Sequence, residues 1–260
     1  MKSIAIIPAR GGSVRIPKKN IKPLNGVPLI EYTIKQALDS NCFDRVIVST
    51  DDSEIMLISI LAGAEVYHRP KPLAEDVESE LVVKDLVETL EKEGYFPDII
   101  TMLQPTSPFR KVETIEKCIN ELKDAWNTYD SVITVNPISQ RPEWMGYICN
   151  NNLFYPYTET WGYKDESSYN LPKARFIKLV ASQELPKLYN QNGCIYTFKC
   201  DLIINEGLII GLKTKGIIID EYEAFDLDTI LEWKVAEELM REKNKIKKLK
   251  INIISYKGDL

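Results

Sequence analysis

The chain has 260 residues, 44% apolar and 27% charged, enough for one large α/β domain or one domain carrying a sizeable insertion. A formal charge of −5 argues against a nucleic-acid binder or a polybasic membrane-surface protein. The leading apolar run Ile4-Ala5-Ile6-Ile7 is too short for a signal sequence, and no run approaches the ~18 residues that span a bilayer.

Cys42, Cys118, Cys149, Cys194 and Cys200 show no C-x-x-C spacing, the pattern of reduced and mostly buried thiols. A soluble, cytoplasmic protein with neither nucleic-acid nor membrane partners is expected. Residues 3–8 form a nearly all-apolar run, as a strand buried on both faces requires. The turn Asn25-Gly26 precedes helix-spaced apolar residues over 29–40. A strand over 44–49, a helix over 52–62 stopped by Gly63, and a strand over 64–67 follow. Beyond a polar, proline-containing loop over 68–77 come a helix at 79–93, a strand at 99–103, a helix at 112–125 and a strand at 131–135. This rhythm predicts an α/β fold with a mostly parallel sheet and helices on both faces. It breaks over 136–190, a stretch too long for an ordinary loop. An insertion over 137–190 is expected within a single domain spanning 1–260, with a hairpin near 147–154 turning at Asn150-Asn151-Asn152. Strands at 193–198 and 216–220 and a helix over 229–245 complete the pattern.

Three segments carry chemistry. Ala9 to Lys22 holds five basic residues and no acidic one, although the protein as a whole is acidic. Gly11-Gly12 lets the backbone turn sharply and present N–H groups to an anion, and the surrounding Arg and Lys suit a polyphosphate. The segment matches neither G-x-x-x-x-G-K-[ST] nor G-x-G-x-x-G. On composition alone it reads equally as a polyphosphate cradle or a solvated basic turn. In Phe225-Asp226-Leu227-Asp228-Thr229, strand geometry would place both carboxylates on one side, where Mg²⁺ takes one or two carboxylates plus substrate phosphates. By itself such a pair is more often capping or solvated, with Asp228 as a cap for the following helix. Leu103 to Arg110 offers Gln104, Thr106, Ser107 and Arg110 as polar contacts, or Thr106 or Ser107 as a helix cap. His68, the one histidine, excludes a His-based metal cluster or a Ser-His-Asp triad. The basic run from Arg241 to Lys250 reads as a solvated helix end.

Taken together, IAIIPARGGSVRIPKKN at 4–20, FDRVIVSTDDSEI at 43–55, RPKPLAED at 69–76, LQPTSPFR at 103–110, NGCIYTF at 192–198 and FDLDT at 225–229 resemble the acylneuraminate cytidylyltransferase family, the synthetases of CMP-sialic acid and of other CMP-nonulosonic acids. The resemblance implies a Rossmann-like three-layer nucleotidyltransferase fold with a protruding dimerisation insertion that also meets the sugar, a homodimer, and Mg²⁺ as cofactor with Mn²⁺ as substitute. It implies attack by the anomeric hydroxyl of an α-keto acid sugar on the α-phosphorus of CTP, with loss of pyrophosphate. Arg10, Gly11, Gly12, Ser13, Lys19, Asn20 and Arg69 would bind the nucleotide, Gln104 and Asn192 the sugar, and Asp226 and Asp228 the metal. Arg10, Lys19 and Asp228 would be catalytic, Asp228 also helping to deprotonate the attacking hydroxyl.

The sequence departs from the family pattern at Val14, where lysine is usual, beside Arg15. It departs again at Glu80, where a serine meets the base, and at Trp144 and Ser182, where a lysine and an arginine meet the sugar carboxylate. Arg141, Lys173, Arg175, Lys178 or Lys187 would then bind that carboxylate. A legionaminate-type sugar packed by Trp144, Trp161 and Tyr189 is expected rather than N-acetylneuraminate. The alternatives are transfer to Kdo or a sugar phosphate, another nucleotide, or a non-catalytic nucleotide-binding subunit.

Overall fold

Strand β1 (Ser3–Pro8) is buried along most of its length because its side chains alternate between two helical layers. The structure, a computed structural model, describes residues 1–142, 145–148, 154–156 and 187–242. On one face Ala5 and Ile7 pack with Ile30, Ile34 and Ala37 of α1 (Leu29–Asp39), Ile55 of α2 (Ser53–Leu61), and Ile115, Cys118, Ile119 and Leu122 of α4 (Val112–Asp124). On the other, Ile4 and Ile6 meet Val83, Leu86, Val87 and Leu90 of α3 (Ser79–Lys92). The 3.6-residue spacing of these helical positions and the two-residue alternation in β1 fit one another, giving three layers.

The remaining strands are β2 (Pro23–Leu24), β3 (Val27–Pro28), β4 (Arg45–Thr50), β5 (Glu65–His68), β6 (Ile99–Leu103), β7 (Ser131–Pro137), β8 (Gly146–Ile148), β9 (Phe154–Pro156), β10 (Tyr189–Lys199) and β11 (Thr214–Ile218). Seven strands form one sheet in the order β11-β7-β10-β6-β1-β4-β5. β1 runs parallel to β4 and to β6, β4 to β5, and β7 to β11, while β10 is antiparallel to β6. Chain order reverses around β1, which lies between β4 and β6. Beyond the carboxyl ends of strands at such a switch point an open α/β sheet leaves a crevice for ligands.

A final helix, α5, occupies 230–242. Its Trp233, Ala236 and Met240 form a third apolar cluster with Leu227, Phe109, Leu24, Leu29 and the fully buried Ile16. This cluster fastens the loop after β1 to the segment before α5.

The chain divides into two compact units, Met1–Asn136 with Gln191–Leu260, and Pro137–Asn190. Within the second, β8 and β9 pair antiparallel with Tyr147 opposite Tyr155. The expected turn at Asn150-Asn151-Asn152 lies outside the described residues.

The expected helices and strands start and stop within a residue or two of the sequence expectation, except that β10, expected over 193–198, begins at Tyr189; the expected end of the last helix, at 245, lies outside the described residues. Its added residues Tyr189, Asn190, Gln191 and Asn192 are polar or exposed, so no apolar run marks them. Cys118, Cys194 and Cys200 are buried free thiols, and burial pushes that of Cys200 up to about 12, far from the reactive thiolate.

Candidate active site

The loop leaving β1 is held at both ends and open in the middle. Ala9 donates to the Ser49 carbonyl at 2.9 Å, and Asn20 donates from Nδ2 to the Arg10 carbonyl at 3.0 Å, closing the loop on itself. Between these points Ile16 is fully buried, whereas Val14 is 88% exposed. Gly11 departs from the expected cradle: its N–H is given to Asp51 Oδ1 at 3.0 Å, and a Cβ there would stand 2.8 Å from that of Asp52. The glycine is needed for the approach of Asp52, the N-cap of α2. Gly12 has open space around it, and Ser13 donates its N–H to the Gly11 carbonyl.

A cleft of about 190 Å³ opens at the carboxyl ends of β1 and β6, lined by Pro8, Arg10, Arg69, Asp76, Ser79 and Gln104 among others. Arg10 pairs with the exposed Asp76 at 3.1 Å. Arg69 is only 4% exposed and donates to the Ser49 hydroxyl and carbonyl, with Nη1 to the Leu73 carbonyl. Burial lowers its pKa, the nearby Asp51 opposes the shift, and Arg10 adds to it. A buried Arg69 that also feels the charge of Arg10 is held at a cost that an anion in the cleft would relieve. The serine facing the cleft is Ser79, one position before Glu80, whose residue type drew attention in the sequence.

Lys19 reaches Asp228 Oδ1 at 2.8 Å and Arg15 reaches Oδ2 at 2.7 Å. Asp226 and Asp228 are not on a strand, as the sequence reading supposed. They flank the buried Leu227 in an irregular segment whose Leu227 N–H donates to the Thr106 carbonyl at 2.9 Å. Nor does Asp228 cap α5. Thr229 and Glu232 form a capping box: Glu232 Oε2 accepts from Asp228 and Thr229 N–H, and Thr229 Oγ1 accepts from Glu232 N–H. Asp228 is thereby left to the site.

The two carboxylates titrate differently. Asp226 keeps exposed surface, yet the flanking protein desolvates its carboxyl and raises its pKa, aided by the charge of Asp228 and opposed by the Thr106 hydrogen bond and Lys19. The Asp228 pKa is lowered, first by the Lys19 hydrogen bond, with Arg15 adding to it. An acid raised by burial beside a second acid is short of positive charge, so this pair suits a divalent cation completed by substrate oxygens. Held down by two cations, Asp228 is the weaker base of the two. As pH falls in the metal-free chain, Asp226 is expected to take its proton before Asp228. A carboxyl ¹³C NMR titration checks this, and the reverse order would refute the electrostatic account.

The segment after β6 differs from expectation in which side chains it offers. Arg110 is 3% exposed and donates to the carbonyls of Cys194 and Gln104 and to Thr33 Oγ1 and Gln36 Oε1, so it fastens the loop rather than contacting a ligand. Ser107 is buried beside Cys194. Neither Thr106 nor Ser107 caps α4; its first N–H groups begin at Lys111, which donates to the buried Glu223 Oε1. Gln104 lines the cleft. Asn192 Oδ1 accepts from Thr134 and from Cys194 N–H while its Nδ2 donates to Asn136, so this amide braces β10 against β7 and does not line the cleft. Arg110→Met should cost about 3 kcal/mol in urea unfolding by stranding buried acceptors. A loss below about 1 kcal/mol would show that they find other donors.

Of the residues considered for the sugar and its carboxylate, Trp144, Trp161, Lys173, Arg175, Lys178 and Ser182 lie outside the described residues. Arg141 is 9% exposed, and Lys187 and Tyr189 are exposed. Among the described residues no helix is long and apolar enough to cross a membrane.

A switch-point cleft walled by arginines, with a lysine and an acid pair beside it on a Rossmann-like sheet, suits a nucleotidyltransferase. The chain belongs to the cytidylyltransferase family, whose profile matches residues 4–256. It is 35% identical over 245 residues to the CMP-N,N'-diacetyllegionaminic acid synthase of Legionella pneumophila, covering 92% of this chain and 97% of that protein. To the pseudaminic acid cytidylyltransferase of Campylobacter jejuni (serotype O:2) it is 30% identical, covering 93% and 97%. The fold is shared with CMP:2-keto-3-deoxy-manno-octonic acid synthetase complexed with CTP, at TM-score 0.63 and 19% identity over 94% of this chain and all of that one.

Proposed function

We propose that this chain transfers the cytidylyl group of CTP to a nonulosonic acid of legionaminate type, giving the CMP-sugar and pyrophosphate. The observation that carries the reading is the convergence of Arg10 and Arg69 on one cleft with Lys19, Asp226 and Asp228 beside it, in a chain so similar to a legionaminate synthase.

In this reading the anomeric hydroxyl oxygen forms a bond to the α-phosphorus as the bond to the pyrophosphate oxygen breaks, and the hydroxyl proton leaves to base or solvent. Arg10 and Lys19 hold phosphoryl oxygens where charge accumulates. Arg69 and Ser79 wall the nucleotide, and Gln104 orients the sugar. Asp226 and Asp228 would hold Mg²⁺, or Mn²⁺ in its place, which would supply Lewis-acid stabilisation of that charge. The unit Pro137–Asn190 serves a homodimer, and the enzyme works in the cytoplasm.

Pyrophosphate release measured with CTP, UTP and GTP against legionaminate, pseudaminate, N-acetylneuraminate and Kdo tests this. Turnover with CTP and the legionaminate-type sugar well above the rest is expected. Equal turnover of N-acetylneuraminate would refute the sugar assignment, and CTP binding without turnover on any sugar would refute catalysis.

A further inference from the structure

Asp228 is bound by two cations of unlike character. Lys19 is 15% exposed and holds Oδ1 from within, on a loop segment fixed by the 3₁₀ turn Lys19–Ile21 and the Asn20 bond to Arg10. Arg15 is 69% exposed and holds Oδ2 from the solvent side. It sits between the exposed Val14 and the buried Ile16, so its backbone is anchored on one side while its side chain lies against Asp228 at the solvent surface. A solvent-exposed ion pair is weak and breaks at little cost. Arg15 is therefore the partner of Asp228 that can leave.

We propose that Arg15 is a positioning cation shared between Asp228 and the nucleotide: it neutralises Asp228 in the free chain and passes to a phosphate oxygen when a divalent cation takes that carboxylate. The proposal rests on the nucleotidyltransferase reading of the site. Oxygens that share one small divalent cation lie about 3 Å apart. A guanidinium already hydrogen-bonded to Asp228 is thus within reach of a phosphate oxygen on the same ion, without backbone movement. Its five N–H donors and planar fork suit that oxygen as well as they suit the carboxylate. Before the exchange Arg15 competes with the cation for Asp228; after it, Arg15 supports the nucleotide that the cation bridges.

These two roles give Arg15→Ala effects of opposite sign, which a merely structural role does not. In the nucleotide-free chain, Mn²⁺ binding followed by EPR should tighten about threefold once the competitor is gone. CTP binding in Mg²⁺, followed by calorimetry, should weaken about tenfold. Arg15→Lys should keep CTP affinity within about threefold of the original, because the charge is retained and only the fork is lost. Opposite shifts in Arg15→Ala with rescue in Arg15→Lys support the assignment. Unchanged binding of both ligands, or weakening of both, overturns it. If the unaltered chain binds no CTP, the assignment falls together with the function it rests on; if it binds CTP and Arg15→Ala does not shift that binding, the assignment alone falls.

Discussion

Replacing Asp228 by alanine is expected to lower turnover at least about 10³-fold while leaving the fold and CTP binding in place. The fold should survive because the structural work at this corner belongs to its neighbours. Leu227 anchors the segment in the apolar cluster and donates to the Thr106 carbonyl, while the Thr229–Glu232 box caps α5 through backbone groups of 228 and 229. What the substitution removes is a half-exposed carboxylate that pairs with the exposed Arg15 and the shielded Lys19, worth about 1–2 kcal/mol to stability. CTP binding should persist because Lys19 and Arg15, no longer held by Asp228, remain available to phosphate. Turnover, by contrast, needs charge placed at the reacting phosphorus, and Asp226 alone is the carboxylate whose own charge is resisted by its surroundings. Steady-state pyrophosphate release, thermal unfolding and calorimetric CTP binding separate these effects. If turnover stayed within tenfold of the original at ordinary Mg²⁺, the assignment of Asp228 to the reaction centre would fail. Asp228→Asn, which keeps the shape and loses the charge, should show the same loss.

The layered fold was legible because it rests on short-range periodicity. The continuous apolar run of β1 and the helical spacing over 29–40 point to the strand and helix faces that the packing shows buried. Residue types in the site were also legible: Arg10, Lys19, Gln104 and the Asp pair each mark themselves by charge or polarity in strand-end segments. What each side chain is engaged with was not, since that depends on partners far away in the chain. Arg110 reads locally as a free guanidinium, yet elements more than 70 residues distant supply Thr33, Gln36 and Cys194 to bind it. Gly11 reads as a phosphate glycine, whereas the close neighbour is Asp52. Asp226 and Asp228 share a side because Leu227 is drawn into the cluster of Ile16 and Trp233, not because they lie on a strand. One signal was present and passed over: Thr229-Ile230-Leu231-Glu232 spells a capping box, which frees Asp228 from helix duty.

Lys19→Ala is expected to reduce kcat/KM for CTP about 10²–10³-fold, the ~2.7–4 kcal/mol lost when one preorganised donor to a developing anion is removed. Preorganisation is what distinguishes Lys19 from Arg15. Its ammonium is mostly shielded, its backbone lies in the 3₁₀ turn, and the Asn20 side chain ties that turn to Arg10, so in the proposed reading it would meet a phosphate already oriented. The exposed Arg15 has to be ordered first and can contribute less. The loss at Lys19 should therefore appear in kcat as well as in KM, with the wild-type value unrecovered by added Mg²⁺, since the proposed role is that of one oriented N–H donor. Lys19→Arg should recover little, because a planar guanidinium needs more room than this shielded position leaves beside Asp228. Full kinetics of pyrophosphate release against both substrates decide the matter. A change confined to the KM of the sugar would place Lys19 on the wrong side of the reacting phosphorus and undo the arrangement assigned to the loop.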